Sequence, residues 1–238
     1  MKRRMMSWLL LGVLALGTVW SLLSGGGVGA RTAFAPARSG GRTLVLDAGH
    51  GGEDGGAVSL SGVPESQINL AIVLRLDQLL GLYGQAPILL RSEDISLHDD
   101  GAETLREKKV SDLHNRAAIV SETENAVLLS VHQNTFPDTQ YHGAQVFFAD
   151  TELSQPFAEL TQELLRISLD PQNTRQSKPI PDSVYLMNHV SCPAILVECG
   201  FLSNTREEQL LLTGGYQTKL AAVLAASWLQ WLGGQPAN

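Results

Sequence analysis

The chain has 238 residues, of which 44% are hydrophobic and 17% are charged, a composition that indicates a globular protein rather than a disordered one. Its net charge of -7 argues against a broad surface for nucleic acid, so no nucleic-acid partner is expected. Its two cysteines are too few for the disulfide framework of a small exported domain.

A hydrophobic segment lies near the start of the chain. Three basic residues precede an apolar run over residues 5–23 that no charge interrupts, close to the ~20 residues that span a bilayer. We interpret residues 1–24 as a signal anchor that places the rest of the protein on the outer face of the membrane, because basic residues stay in the cytoplasm. Small-residue cleavage sites downstream leave a secreted, cleaved form as the alternative. Residues 25–41 are rich in Gly, Ala, Pro and Arg and predict a flexible linker.

Apolar runs of strand length alternate with helical stretches after the linker. In chain order we predict strand 43–47, helix 65–82, strand 86–90, helix 110–120, strand 126–131, strand 144–148, helix 157–169, a loop over 170–182, strand 194–197, and helices from about residue 207 and over 216–232. This order predicts one α/β domain over residues 42–233, with a mostly parallel central sheet and helices on both faces, preceded by the N-terminal anchor helix. Ligands of such sheets bind beyond the carboxyl ends of the strands.

Two histidines follow predicted strands. His50 lies in the glycine-rich turn directly after the first strand, and His132 follows the third strand. Asp47, three residues before His50, is expected to orient its ring as a hydrogen-bond acceptor. Glu65 begins the first predicted helix and faces the same rim. Two histidines and one carboxylate match a catalytic zinc site that keeps its fourth position open for water, so we predict that His50, Glu65 and His132 bind one zinc ion.

A glutamate follows the last predicted strand. Glu198 comes after five apolar residues, where a carboxylate is costly to bury without a partner. Beside a metal its pKa can be suited to proton transfer, so we predict that Glu198 is the catalytic base. Taken singly, Glu65 could be a charge that the helix dipole favours, and Glu198 could be half of a buried ion pair. The prediction depends on the convergence of all four residues.

Four sequence blocks resemble the zinc-dependent N-acetylmuramoyl-L-alanine amidases of the type 3 family: residues 46–52 (LDAGHGG), Glu65, residues 130–134 (SVHQN) and residues 196–204 (LVECGFLSN). The resemblance implies hydrolysis of the amide bond between N-acetylmuramic acid and L-alanine in peptidoglycan. It also implies that His50, Glu65 and His132 are the zinc ligands and that Glu198 is catalytic. The expected substrate contacts are Asn134, Arg91 and Arg116.

Further blocks, at residues 91–99, 108–113, 132–138 and 143–148, are similar to the germination-specific branch of this family in spore formers. That similarity implies a role in spore cortex maturation, as a step towards muramic-δ-lactam. It also implies action on glycan strands with peptide stems in the forespore or spore envelope, and in some relatives a lipoprotein partner.

Two other functions remain open at this stage. A zinc carboxypeptidase or deacetylase could use a similar sheet, and Arg91, Arg116 and Arg175 are candidate anchors for the terminal carboxylate of a carboxypeptidase substrate. A non-catalytic wall-binding domain with a vestigial metal site is the third alternative. The residues alone do not exclude either one.

Overall fold

The computed structural model describes residues 41–235. Six strands lie along this part of the chain: β1 (Thr43–Ala48), β2 (Ile88–Leu89), β3 (Ala126–Asn134), β4 (Gln145–Phe148), β5 (Lys178–Pro179) and β6 (Ala194–Phe201). The six helices of the same part are α1 (Glu65–Leu82), α2 (Leu105–Glu122), α3 (Ser154–Leu169), α4 (Tyr185–Asn188), α5 (Thr205–Leu211) and α6 (Gly214–Gly233).

The predicted anchor and nearly all of the predicted linker lie outside the described residues, which begin at Gly41. Among the helices of residues 41–235, none is both long enough and apolar enough to cross a membrane.

The strands form one mixed sheet in the order β2-β1-β3-β6-β4-β5. β2, β1, β3 and β6 are parallel, whereas β4 pairs antiparallel with β6 and parallel with β5. The expectation of a mostly parallel sheet is therefore correct for four strands and wrong for β4 and β5. The direction changes because residues 135–144 connect β3 to β4 without a helix, and a parallel return needs a crossover of about a dozen residues or more.

Helices cover both faces of this sheet, as predicted. Leu44 and Leu46 of β1 pack into a core cluster with residues of α1, α3 and α6. Val45 packs into the opposite cluster, with residues of α2 and α4. The alternation follows from the two-residue period of side chains along a strand. Because both faces are covered, the central strands are almost continuously apolar in sequence.

Several short elements differ from the sequence prediction. The second strand shrinks to Ile88–Leu89 at the edge of the sheet, because Pro87 directly before it has no N–H for the ladder. Within the predicted loop over residues 170–182, Lys178–Pro179 pairs with β4. The four-residue helix α4 was not predicted, since such short elements have no measurable hydrophobic period.

An aromatic cluster fills the core between α3 and α6. Trp228 is fully buried, and its ring centroid lies 6.3 Å from that of Phe157 and 5.7 Å from that of Trp231. Its indole N–H donates to Gln85 Oε1 at 3.3 Å. The cluster joins the last helix to the helix that follows β4.

We expect Trp228→Ala to lower the free energy of unfolding by about 3–5 kcal/mol, because it removes buried apolar surface and leaves a cavity. Tyr83→Ala is the control, since the Tyr83 side chain is 65% exposed; it should change that free energy by less than about 0.5 kcal/mol. Urea denaturation followed by circular dichroism measures both. Equal losses in the two variants would contradict the assigned role of the cluster.

Candidate active site

The turn after β1 brings His50 against His132. His50 has a φ of 63°, a left-handed conformation that costs a non-glycine residue about 1–3 kcal/mol and that occurs mainly at functional sites. The preceding residue must be glycine, because a Cβ on Gly49 would lie 2.1 Å from His132 Cε1. Gly49 N also donates to Val131 O at 3.1 Å, which fixes the turn to β3.

Glu65 is the first residue of α1, and its carboxylate is 3% exposed. Oε1 accepts hydrogen bonds from Gln133 N at 3.0 Å and from Asn69 Nδ2 at 3.1 Å, while Oε2 accepts one from Ala57 N at 3.0 Å. These donors fix both oxygens. Sequence reasoning missed Asn69, although residues four apart on a helix lie on the same face.

The three predicted metal ligands converge. One candidate donor atom each from His50, Glu65 and His132 lies within 4.8 Å of the other two. Glu65 Oε1 is 2.9 Å from His132 Nδ1, and Glu65 Oε2 is 3.4 Å from His50 Nε2. The two imidazole rings are nearly perpendicular, with centroids 5.1 Å apart. This arrangement can hold a metal ion.

Glu65 and His132 shift each other's pKa. Burial raises the pKa of Glu65, but the hydrogen bond and positive charge of His132 outweigh it and lower the pKa to about 2. Burial lowers the pKa of His132, but the hydrogen bond and charge of Glu65 raise it above its ordinary value. Glu65 is therefore ionised at neutral pH, which is the form that a metal ligand needs.

Asp54, and not Asp47, orients the ring of His50. Asp54 Oδ2 lies 3.0 Å from His50 Nδ1 and 3.2 Å from Lys109 Nζ. The hydrogen bond with His50 holds the pKa of Asp54 well below its ordinary value. The expectation for Asp47 is wrong because its carboxylate is bound by Arg116 and Ser130 instead. The sequence feature that could have indicated this contact is the aspartate four residues after His50.

Asp47 belongs to a buried ion network centred on Arg116. The Arg116 guanidinium, 2% exposed, binds the Asp47 carboxylate and donates from Nε to Asp112 Oδ2 at 2.7 Å. Arg116 Nη2 also donates to His50 O at 2.8 Å. Ser130 Oγ donates to Asp47 Oδ2 at 2.6 Å. The network thus ties β1, β3 and α2 to the backbone of His50.

The other residues predicted to contact the substrate, Arg91 and Asn134, differ in how deeply they are buried. Arg91 is also 2% exposed and donates to the carbonyl oxygens of Ala48 at 2.8 Å and Ser66 at 2.8 Å. The described contacts of Arg91 and Arg116 therefore position the turn that carries His50. Asn134 is half-buried at the end of β3. Substrate contact by these three residues stays a prediction.

Glu198 lies beside the trio on β6, where it pairs in register with His132 of β3. Its Oε2 atom is buried and has no hydrogen-bond partner in the described part of the chain. Burial raises the pKa of Glu198 to about 7; the charge of His132 opposes this rise and that of Glu65 adds to it. A carboxyl group with this pKa can accept and release a proton near neutral pH.

A cavity of about 220 Å³ opens beside His50 and His132. Its lining also includes Leu113, Tyr185 and Met187. A mainly apolar wall with a few convergent polar groups is typical of a small-molecule site. The unpredicted helix α4 therefore forms part of the wall of the site.

We expect Asp54→Ala to lower the affinity for zinc about 10–100-fold, because an unsupported His50 ring loses its orientation. Asp54→Asn should have a smaller effect, since its amide oxygen can still accept the ring N–H. Glu163→Ala, on the exposed face of α3, is the matched control. Titration with a competing chelator measures the affinities; unchanged affinity in Asp54→Ala would contradict this role of Asp54.

The Asp47–Arg116 pair predicts a pH dependence of stability. Burial raises the pKa of Asp47, but the charges of Arg116 and His132 outweigh it, so the folded pKa lies below the ordinary 3.8. The stability contributed by a carboxyl with a lowered folded pKa is fully present above its unfolded pKa and is lost as the pH falls through the folded pKa.

Asp47→Asn should therefore lower the free energy of unfolding by about 3 kcal/mol at neutral pH, because Arg116 loses one buried counter-charge. The variant should also lose less of its remaining stability than the wild type when the pH falls from about 6 to about 3. Urea denaturation at both pH values measures this, and identical losses in the two proteins would refute it.

Comparisons with known proteins identify the family of the chain. The profile of the family described as N-acetylmuramoyl-L-alanine amidase matches residues 44–228. The germination-specific N-acetylmuramoyl-L-alanine amidase of Bacillus subtilis (strain 168) is 33% identical over 192 residues, which cover 80% of each chain. Amidase AmiA of Escherichia coli (strain K12) is 28% identical over 236 residues, covering 84% of this chain and 81% of AmiA.

Solved structures show the same similarity. The CwlD amidase from Clostridioides difficile, solved in complex with the GerS lipoprotein, superposes with a TM-score of 0.78 and 38% identity, and covers 82% of this chain and 100% of that one. AmiC2 of Nostoc punctiforme superposes with a TM-score of 0.66 and 26% identity, over 82% and 99% of the two chains. Since the profile and these relatives extend over most of the sequence, the chain belongs to the N-acetylmuramoyl-L-alanine amidase family.

Proposed function

We propose that this amidase uses one zinc ion, bound by His50, Glu65 and His132, to hydrolyse the amide bond between N-acetylmuramic acid and L-alanine during spore cortex maturation. The observation that carries the zinc assignment is the convergence of the three donor atoms within 4.8 Å. Family membership favours an amidase over a zinc carboxypeptidase, a deacetylase or a non-catalytic wall-binding domain.

The donor set fits zinc. Two imidazole nitrogens and one carboxylate oxygen are typical ligands of catalytic zinc, whereas magnesium and calcium prefer oxygen ligands alone. The fixed Glu65 carboxylate and the Asp54-supported His50 ring provide the oriented ligands that such a site needs. Zinc bound here would polarise the substrate carbonyl and lower the pKa of a bound water to about 7.

Glu198 is the proposed proton carrier. It accepts a proton from the water that attacks the lactyl carbonyl carbon, and it passes that proton to the amine nitrogen of L-alanine as the carbon–nitrogen bond breaks. The products are the lactyl carboxylate on muramic acid and a stem peptide with a free amine. The unpartnered Oε2 atom and the pKa of about 7 support this role.

Asn134, Arg91 and Arg116 are the proposed residues on the substrate side. Asn134 ends the strand that carries His132, two residues further along. Arg116 lines the cavity beside the trio. Arg91 would act through the turn whose carbonyl groups it binds. Direct contact is thus best supported for Asn134, because Arg116 is 2% exposed and its N–H groups are bound by Asp47, Asp112 and backbone carbonyl oxygens.

The biological setting is proposed from the relatives. The B. subtilis relative is germination-specific, and the C. difficile relative was solved with a lipoprotein. We infer that this chain acts outside the cytoplasm in the spore envelope, with residues 1–24 as a membrane anchor unless they are cleaved, and that a lipoprotein activates it. Cortex muropeptides from a strain that lacks the protein test this setting, and a normal content of muramic-δ-lactam would contradict it.

Replacing Glu198 with glutamine tests the proton carrier. Glu198→Gln keeps the shape of the side chain but cannot carry the proton, so kcat should fall by at least about 10²-fold. The zinc content should stay at the wild-type level, because Glu198 is not a ligand. Mass spectrometry of digested peptidoglycan measures the released stem peptides.

Glu122→Gln, at an exposed position of α2, is the control and should retain wild-type activity. Wild-type release of stem peptides by Glu198→Gln would show that another residue carries the proton. Shortened stems in place of released ones would show that the protein is a carboxypeptidase.

A further inference from the structure

An open cavity of about 480 Å³ lies between the loop after β3 and the loop before β5. Its lining combines an aromatic ring, carboxamides, an imidazole and a guanidinium, and it includes Asp138, Gln140, Tyr141, His142, Asn173 and Arg175. Nothing in the proposed chemistry uses this cavity or its guanidinium. Its polar groups are suited to a polar ligand rather than an apolar one.

Arg175 is held in one orientation at this cavity. Its Nε donates to His142 O at 2.7 Å, and its Nη1 donates to Gln145 Oε1 at 3.0 Å. The guanidinium carbon lies 4.6 Å from the ring centroid of Phe201 and 5.8 Å from that of Tyr141. A planar guanidinium fixed in this way loses little entropy when it binds an anion.

No carboxylate within residues 41–235 forms an ion pair with Arg175. Two other arginines show the contrast: Arg166 binds Glu163 with Nε and Nη2, and Arg116 binds two aspartates. The N–H groups of Arg175 Nη2 have no hydrogen-bond acceptor in the described part of the chain. A half-buried cation of this kind gains free energy when a bound anion supplies its counter-charge.

The position of Arg175 relates it to the reaction centre. Gln145, its hydrogen-bond partner, pairs directly opposite Glu198 on the antiparallel β4–β6 ladder. Directly opposite residues of such a ladder point to the same face, with Cβ atoms about 4.5–5.5 Å apart. The Gln145 side chain therefore connects the Arg175 guanidinium to the strand position opposite the proposed proton carrier.

We propose that Arg175 binds a carboxylate of the stem peptide, namely the free α-carboxylate of the second stem residue, a glutamate joined to the next residue through its side chain. The proposal rests on the proposed function, since it needs a substrate with its scissile amide at Glu198. A guanidinium binds a carboxylate with two parallel hydrogen bonds. The Asp138 carboxylate, which accepts from Gln140 N, repels an anion from its part of the cavity.

The wild-type enzyme itself provides the first test. Two soluble muropeptides are compared that differ only at the second stem residue, one with a free α-carboxylate and one with a carboxamide. The wild type should cleave the carboxylate form with a kcat/KM about tenfold higher or more, the effect expected for a hydrogen bond to a charged group. Equal kcat/KM values would overturn the proposal, whereas failure to cleave either muropeptide would contradict the proposed function as well.

Variants then assign the preference to Arg175. Arg175→Gln should bring the ratio of the two kcat/KM values close to one, and Arg175→Lys, which keeps the charge but loses the paired N–H groups, should retain part of the preference. Arg166→Gln removes a surface arginine elsewhere and should keep the wild-type ratio. The ratio does not depend on the fraction of folded enzyme, so a destabilised variant still gives an answer. A wild-type ratio in Arg175→Gln would overturn the proposal.

Discussion

The buried ion network around Arg116 is the constraint on which the rest of the site depends. One guanidinium binds carboxylates on β1 and α2 and a carbonyl oxygen of the turn that carries His50. Burying such a group is expensive unless every charge is matched. Here the match is made by three separate chain segments, so the network forms only when β1, α2 and the turn are all in place. The strained backbone of His50 is stable because this network over-determines it.

The convergence of His50, Glu65 and His132 was the most predictable part of the molecule. His50 and His132 could be found because the carboxyl ends of neighbouring parallel strands share one rim, and Glu65 because it starts the helix that returns to that rim. The partner of His50 was less predictable. Asp47 and Asp54 lie three and four residues from His50 in opposite directions, and only the left-handed turn decides which carboxylate meets the ring. Likewise, the antiparallel direction of β4 depends on a helix-free connection that periodicity does not reveal.

The roles of the arginines could not be read from the sequence for a similar reason. The resemblance marks Arg91 and Arg116 as residues near the substrate, but charge alone does not distinguish a group that faces a ligand from one that satisfies backbone carbonyls. Both guanidinium groups are almost completely buried, whereas Arg175 is half-buried and has no counter-ion within residues 41–235. That distinction requires the positions of β4 and of the loop before β5, which contain too few residues for a sequence pattern to specify.

The interior position of β6 determines the order in which the site residues come together as the chain is made. β6 is the last strand along the chain, yet it lies between β3 and β4 in the interior of the sheet. A chain made from its N-terminus contains all three proposed metal ligands, His50, Glu65 and His132, before residue 198 exists. Glu198 arrives only when β6 inserts between its two neighbours. Chain order therefore places the proposed metal ligands ahead of the proposed proton carrier, so the four residues come together only after the last strand has been made and has entered the interior of the sheet.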